Sequence, residues 1–169
     1  MEDISEDKIP LAKIEGYNCF ACGTANPIGL RLSFYRQGRY VCSDVTLGKY
    51  HAGWENMAHG GIISTLLDEV MSWTIIYFLR VFFVTRKMEV KYIRPVPLGK
   101  PLVVRGTIVR SDEKEVKAKA EIIGNSHKIL ARALGDFVLV PKERLSTVPE
   151  KLKKDMERLF KMLEKPMVR

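Results

Sequence analysis

The chain has 169 residues, of which 46% are hydrophobic and 28% charged, so we expect one globular domain and exclude a disordered polypeptide. Lys and Arg number 28 against 20 Asp and Glu, which gives a net charge of +8. The excess is scattered, without a block of five like charges, and this excludes a nucleic-acid-binding tail.

Residues 1–18 predict a polar lead-in, in which residues 8–15 fit either a weak helix or an extended segment. The first seven residues are acidic and polar, which is not how a signal or transit peptide begins. The longest apolar run, Val70 to Leu79, is shorter than the ~20 residues that span a membrane. We therefore expect a soluble cytoplasmic protein with no membrane span. The composition of the chain, with few Gln and Asn and many Lys, Arg and Glu, resembles that of proteins from thermophiles.

A loop rich in turn residues runs from Cys19 to Gly29. Its Cys-x-x-Cys supplies two of the four ligands of a structural zinc site, so the others would have to come from a symmetry mate or from His51. A thioredoxin-like redox role needs this motif at the start of a helix in a β-α-β unit, a pattern absent here. Three cysteines, an odd number, argue against a disulfide scaffold. We predict packed thiols at Cys19 and Cys22, a core position for Cys42, and no metal.

Two strands are predicted next. The alternation of apolar and polar residues from Leu30 to Tyr35 is typical of a half-buried strand. A hairpin turn at residues 36–39 and a return strand over residues 40–47 follow. Residues 48–58 have no periodicity and predict an irregular loop.

A long helix is predicted from Gly60 to Leu79, because its apolar residues follow helical spacing and nearly every position beyond Val70 is apolar. Such a helix is buried by the rest of its own chain or by a partner subunit. Short turns between alternating segments then predict four antiparallel strands, at residues 82–94, 102–111, 116–122 and 129–140. The pattern as a whole predicts an α+β fold, an antiparallel sheet wrapped around one long central helix.

The tail, residues 141–169, predicts an amphipathic helix after Pro149. Its apolar stripe has helical spacing and consists of Leu152, Met156, Leu159, Phe160 and Leu163. We interpret it as a helix docked on the body or on a subunit. A helix lying on a membrane surface is the alternative, although that would favour more aromatic residues on the apolar face.

The central helix carries the residues with the clearest chemical potential. A charge at Asp68 or Glu69 is costly in a buried helix unless it is paired or lies in a cleft. The two point about 100° apart, and we expect Glu69 to be an ordinary ion-pair partner. The helix begins with His59, Gly60 and Gly61, so its first N–H groups are uncovered at the positive end of the dipole. Oxyanion donors and a carboxylate are what acyl transfer requires; His59 by itself is more typical of a cap or a loop hydrogen bond.

The stretch His59-Gly-Gly-Ile-Ile-Ser-Thr-Leu-Leu-Asp68 resembles the hotdog-fold acyl-CoA thioesterases, in particular the PaaI-like branch, which carries an acidic residue nine positions after the His of a His-Gly-Gly. The segment from Thr85 to Gly99, with its Arg-Pro, is similar to a strand of the same family. The lead-in Cys19-x-x-Cys-Gly, followed by Asn-Pro-x-Gly-Leu, is similar to that of some members. The resemblance covers residues 19 to about 140.

This resemblance implies a hotdog fold and hydrolysis of an acyl-CoA thioester to a free acid and CoA, with coenzyme A as part of the substrate and no separate cofactor. It implies that Asp68 is the general base or the nucleophile, and that Gly60, with Gly61 as a second candidate, donates backbone N–H groups to the thioester oxygen. His59 would orient the loop and Thr85 would help to hold the attacking water. The family's sites are shared between subunits, which implies a homodimer or homotetramer.

The phosphates of coenzyme A give the positive charge a candidate use, and relatives often contact the nucleotide near a turn that here carries Arg110, Ser111 and Lys114. Some relatives have Asn or Gln six positions before the His, where this chain has Gly53; Asn56 is the candidate substitute. This departure favours, as the alternative, a non-catalytic acyl-CoA or lipid-binding hotdog protein. A hotdog dehydratase would need an Asp and a His in a different spacing.

The predicted organisation is a lead-in over residues 1–18, a hotdog thioesterase domain over 19–140 and a helical extension over 141–169. The sequence leaves open the acyl group, the choice between dimer and tetramer, and the role of the last helix.

Overall fold

The computed structural model describes residues 7–164, so the first six residues of the predicted lead-in and the last five of the predicted extension lie outside the described residues. Two short 3₁₀ turns, Lys49–His51 and Lys142–Thr147, accompany the regular elements. The helices and strands in chain order are β1 (Ile9–Pro10), β2 (Tyr35–Gln37), β3 (Tyr40–Thr46), β4 (Ala52–Trp54), β5 (Met57–Ala58), α1 (Gly60–Leu79), β6 (Phe83–Tyr92), β7 (Pro101–Ser111), β8 (Glu115–Ile123), β9 (Ile129–Leu139) and α2 (Glu150–Glu164).

Seven strands form one antiparallel sheet in the order β1-β2-β3-β7-β8-β9-β6, and α1 lies across one of its faces. The predicted α+β hotdog fold is confirmed, including the bounds of α1 and the antiparallel strands that follow it. Strand β6 pairs with β9 alone among the described strands, so its other side is an open edge of the sheet. The strands β4 and β5 form a separate hairpin just before α1.

Close packing against β7 fixes the position of α1. At Gly106 a Cβ atom would lie 2.6 Å from Thr74 Oγ1 and 2.9 Å from the carbonyl oxygen of Val70, so the helix approaches the sheet where a side chain is missing. One face of α1 is buried, whereas the other is only half-buried by the described chain. By length and mean hydropathy (1.4) α1 passes as a candidate membrane span, which is weak support because the core helix of a globular domain passes the same test.

Three predictions about the segment before α1 differ from the structure. The strand predicted over Leu30–Tyr35 is an extended segment whose ladder begins only at Tyr35, because Arg31 adopts a left-handed conformation with φ 52° and interrupts it. The hairpin turn is correspondingly shorter and lies at residues 38–39. The loop predicted over residues 48–58 contains the β4–β5 hairpin, which is too short to show a periodicity of two.

The C-terminal helix docks on the body of the chain, as its apolar stripe predicts. Leu159 and Leu163 are buried, and Phe160 packs edge to face on Phe82 with 5.8 Å between ring centroids. The Tyr17 hydroxyl donates a hydrogen bond to Asp155, which ties α2 to the lead-in as well. The chain therefore covers the C-terminal part of the apolar stripe, around Leu159 and Leu163, whereas Leu152 at its start is 39% exposed.

Candidate functional site

The structure brings together the carboxylate and the hydroxyl singled out by the sequence resemblance. Asp68 lies on the half-buried face of α1, and Thr85 Oγ1 at the start of β6 donates a hydrogen bond of 3.1 Å to Asp68 Oδ1. Thr85 pairs with the buried Phe137 of β9, which directs its side chain to the helix side of the sheet. Burial raises the pKa of Asp68, and the bond from Thr85 opposes that rise.

About two turns before Asp68, the first turn of α1 leaves backbone N–H groups without an acceptor among the described residues. His59 is the N-cap, and its Nδ1 atom accepts a hydrogen bond of 2.9 Å from Gly61 N–H, so Gly61 is not free to serve a ligand in this structure. The N–H of Gly60 has no acceptor among the described residues. The N–H of Ile62 also has no acceptor among the described residues, but Gly60 lines the cleft beside the helix start, which makes it the candidate oxyanion donor.

An open cleft of about 460 Å³ lies beside Gly60. Its walls are mostly apolar, with Trp54 80% exposed on one side and Tyr92 56% exposed on another. The Tyr92 hydroxyl lies 3.2 Å from the carbonyl oxygen of Gly60 and 2.8 Å from Ser64 Oγ. Sequence reasoning missed Ser64 and Tyr92; the place of Tyr92 within the family-like stretch from Thr85 to Gly99 is the one signal that could have found it.

Asp68 and Gly60 are eight residues apart on one helix, which corresponds to about 12 Å along its axis. A single thioester carbonyl cannot contact both groups across that distance, because attack and oxyanion contact both occur within about 3–3.5 Å of it. If both groups serve one reaction, they must come from two copies of the chain.

Of the three residues predicted to contact a nucleotide, Arg110 and Ser111 lie on opposite faces of β7. Ser111 pairs with the buried Val116, whereas the Arg110 guanidinium reaches Glu115 Oε1 at 3.0 Å. Lys114 lies in the turn, where its backbone N–H donates to Asp112 Oδ1 at 2.8 Å.

Sequence reasoning missed Arg86, which joins this group through the same carboxylate. Its Nη2 atom lies 2.8 Å from Glu115 Oε2, while the second carboxylate oxygen contacts Arg110. Along β6, Thr85 contacts Asp68 and Tyr92 contacts Gly60, so the basic pair of Arg86 and Arg110 lies at the Asp68 end of that strand.

The position at which the sequence departs from the family pattern, Gly53, and its candidate substitute, Asn56, both lie in the β4–β5 hairpin. Asn56 is at its tip with φ 61°, a conformation that Asn tolerates well, and it does not line the cleft. A Cβ atom on Gly53 would lie 2.9 Å from the Cα atom of His59. An amide side chain at position 53 would therefore displace the helix cap.

Glu69 is not an ion-pair partner within the described residues, so that prediction is wrong. The side chain is directed toward the lead-in loop, where Oε1 accepts a 3.1 Å hydrogen bond from Trp73 Nε1 and lies 4.0 Å from Cys19 Sγ. Burial is the main cause that raises the pKa of Glu69 to about 7. His51 does not approach the thiols; its Nδ1 atom accepts from Gly48 N–H at 3.0 Å. The predicted burial of Cys42 is confirmed.

Comparison with known proteins agrees with this architecture. The Thioesterase superfamily profile matches residues 55–129. A thioesterase superfamily protein of known structure aligns over 72% of this chain with 23% identity and a TM-score of 0.67, and the chain spans 60% of its length. The Escherichia coli PaaI protein of the phenylacetic acid degradation operon aligns with 15% identity over 66% of this chain and 81% of its own, with a TM-score of 0.61.

A hypothetical thioesterase from Streptococcus pneumoniae, crystallised with coenzyme A, aligns with 19% identity over 60% of this chain and 78% of its own, with a TM-score of 0.56. No protein of curated function matches the sequence significantly. The resemblance to the hotdog-fold thioesterase superfamily is confirmed, and at these identities the solved structures show the fold alone.

Proposed function

We propose that this protein hydrolyses an acyl-CoA thioester to a free acid and CoA at a site built from two subunits. The observation that carries the proposal is the hydrogen bond between Thr85 Oγ1 and Asp68 Oδ1. Asp68 lies on the helix whose N-terminus offers the free N–H of Gly60. The match to the Thioesterase superfamily supports thioester hydrolysis in general. The coenzyme A in the structurally similar pneumococcal protein supports coenzyme A as the thiol part of the substrate.

In the proposed reaction Asp68 acts on the thioester carbonyl carbon through a water molecule. Its free oxygen, Oδ2, accepts the proton of the water while Thr85, whose own hydrogen points at Oδ1, offers lone pairs to the same water. The N–H of Gly60 donates to the carbonyl oxygen as it becomes an oxyanion, where a helix N-terminus favours negative charge. Collapse of the oxyanion breaks the carbon–sulfur bond, and CoA leaves as the thiol with the proton that Asp68 took from the water. Direct attack by Asp68 on the carbonyl carbon is the alternative role, and a single turnover in heavy-oxygen water separates the two. A water activated by Asp68 puts the heavy oxygen into the product acid, whereas hydrolysis of an acyl–Asp68 intermediate puts it first into the Asp68 carboxylate.

The shared site follows from the separation of about 12 Å between the two groups along α1. The open edge of β6 and the half-buried face of α1 are the surfaces on which a second copy would complete the site. We propose a homodimer or a homotetramer on this basis. We also propose that residues 19–140 form the catalytic domain, with α2 as a docked extension. Because free thiols are typical of proteins in reducing compartments, we propose a cytoplasmic location.

Release of free CoA thiol from a panel of aliphatic and aromatic acyl-CoAs tests the function. We expect hydrolysis of at least one of them by the purified full-length chain. Tight binding of acyl-CoA without thiol release would instead support the non-catalytic alternative, which the missing amide at Gly53 favours.

Thr85→Val is expected to lower kcat about ten-fold, roughly 1.4 kcal/mol of transition-state stabilisation, with little change in KM. Valine keeps the branched shape but removes the hydroxyl that bonds Asp68. Thr85→Ser, which restores the hydroxyl, is the matched control and should retain most of kcat. Equal kcat values for the Val and Ser variants would contradict a role for the hydroxyl.

Arg110→Gln is expected to raise KM for an acyl-CoA several-fold, with kcat nearly unchanged, because phosphate contacts are made equally in the ground and transition states. Glu115 keeps Arg86 as a partner in this variant. The effect should vanish with acyl-pantetheine, which lacks the nucleotide, and should be absent in Lys161→Gln on the exposed face of α2. The same rise in KM for both substrates would exclude a phosphate contact.

A further inference from the structure

The Cys-x-x-Cys loop is folded into a tight turn that presents both thiols to one side. Gly23 N–H donates to the Cys19 carbonyl oxygen at 2.9 Å, and a Cβ atom at Gly23 would lie only 2.5 Å from Cys19 N and 2.6 Å from Cys19 O. The turn therefore requires glycine after the second cysteine.

Glu69 of α1 places a third possible metal ligand beside the two thiols. The two Sγ atoms and a carboxylate oxygen of Glu69 all lie within 4.8 Å of one another, and Glu69 Oε1 is 4.0 Å from Cys19 Sγ. Ligands of a tetrahedral zinc ion stand about 3.8 Å (S to S) and about 3.5 Å (S to O) apart, from bond lengths of about 2.3 and 2.0 Å. Side-chain rotations that shorten the separation of Cys19 Sγ and Glu69 Oε1 by about 0.5 Å, and no separation in the group by more than about 1 Å, reach that geometry.

We propose that Cys19, Cys22 and Glu69 form a binding site for one divalent soft-metal ion, of which zinc is the expected one. Two thiolates select zinc-like ions over magnesium and calcium, which prefer oxygen ligands alone. Three protein ligands leave one tetrahedral position for water, and the exposed Cys19 gives the ion a path of entry. The sequence alone predicted no metal, because Cys-x-x-Cys supplies two ligands and the third stands 47 residues after Cys22.

The surroundings of the three donors hold them in place. Trp73 Nε1 fixes the Glu69 carboxylate at 3.1 Å, and the Trp73 ring stacks on Phe34 with 4.6 Å between centroids. Lys13 Nζ donates to the carbonyl oxygens of Cys22 and Leu32, at 2.9 and 2.7 Å, which anchors the loop. Outer partners of this kind orient metal ligands and tune their affinity.

The ion would connect the lead-in loop to α1 at the residue next to Asp68. Within the described residues no cation pairs with Glu69, so a metal would also supply the positive charge that this half-buried carboxylate lacks. Binding releases the thiol protons, and the ion takes their place between the three side chains.

Titration of the reduced, chelator-treated full-length protein tests the site with Zn²⁺ against a metallochromic competitor and with Co²⁺ by absorption. We expect one ion per chain and a thiolate-to-cobalt charge-transfer band, both lost in Cys19→Ser and Cys22→Ser. Glu69→Gln should weaken Zn²⁺ binding by at least the ~10–100-fold seen for lesser changes around metal sites. Cys42→Ala, which removes a buried thiol of β3, is the matched control and should bind as the native chain does.

If the serine variants fail to fold, Glu69→Gln still tests the metal site. Glutamine keeps the volume of the side chain and an oxygen that accepts the hydrogen bond from Trp73, so this variant should fold. Absence of Zn²⁺ binding by the reduced, folded native protein would overturn the proposal. Unchanged affinity in Glu69→Gln would overturn it equally, because two cysteines alone would then account for the metal. Neither result depends on whether the protein hydrolyses thioesters.

Discussion

Asp68→Asn is expected to lower turnover by ~10²–10⁴-fold, the range typical for loss of a general base. Asparagine keeps the shape of the side chain and an oxygen that accepts the bond from Thr85, but it cannot take a proton from water. Because burial disfavours the charged carboxylate of Asp68, the neutral amide should leave the fold as stable as before. Thiol release at saturating acyl-CoA measures the effect, with KM expected to change little.

Glu157→Gln provides the matched control for Asp68→Asn, since it removes one negative charge from an exposed position of α2 that is not part of the candidate site. It should retain full turnover. Circular dichroism and size-exclusion chromatography establish that both variants keep the fold and the oligomer size. Near-normal turnover in a folded Asp68→Asn protein would remove Asp68 from the reaction.

The elements that the sequence predicted well are those whose pattern depends on their own residues. The bounds of α1 follow from a helical apolar period that starts at Gly60 and from a charge, Arg80, that ends it. The strand predicted over Leu30–Tyr35 failed although Leu32 and Phe34 are buried as the alternation requires. The interruption there is a single left-handed residue, Arg31, and no local pattern marks an arginine for that conformation.

The candidate site was less accessible from sequence because its geometry depends on contacts between distant segments. The contact of Asp68 with Thr85 joins α1 to β6, and only the family resemblance paired the two residues in advance. Glu69 was expected to meet a cation, since an unpaired buried charge is costly. Its actual neighbours are Trp73 one turn later and Cys19 fifty residues earlier, and that encounter is created by the fold.

The capping of α1 changes how the helix start can function. The bond from Gly61 N–H to His59 Nδ1 leaves Gly60 as the proposed oxyanion donor, about 12 Å along the helix axis from Asp68. An active site with both groups thus requires that each chain contribute a different half. This requirement gives a test that depends on subunit pairing and not on either residue alone.

Two individually inactive variants, Asp68→Asn and Gly60→Pro, are expected to regain activity when their subunits are exchanged. Proline removes the N–H of Gly60, and loss of one oxyanion donor costs about 3–4 kcal/mol, or ~10²–10³-fold in kcat. In a mixed dimer one site has both defects and the other has neither. Random exchange makes about half of the dimers mixed, so about a quarter of all sites should work.

The backbone at Gly60 accepts this substitution, which makes the test decisive. Gly60 is the first helical residue, where proline is favoured, and the preceding His59 has φ −63° and ψ 140°, an extended conformation compatible with a following proline. A Cβ atom there meets Tyr92 Oη at 3.5 Å, an ordinary contact. Gly60→Ala, which adds that atom but keeps the N–H, is the matched control and should stay active. If verified mixed dimers remain inactive while Gly60→Ala works, Asp68 and Gly60 do not meet across a subunit boundary, since that pairing predicts one intact site in every mixed dimer.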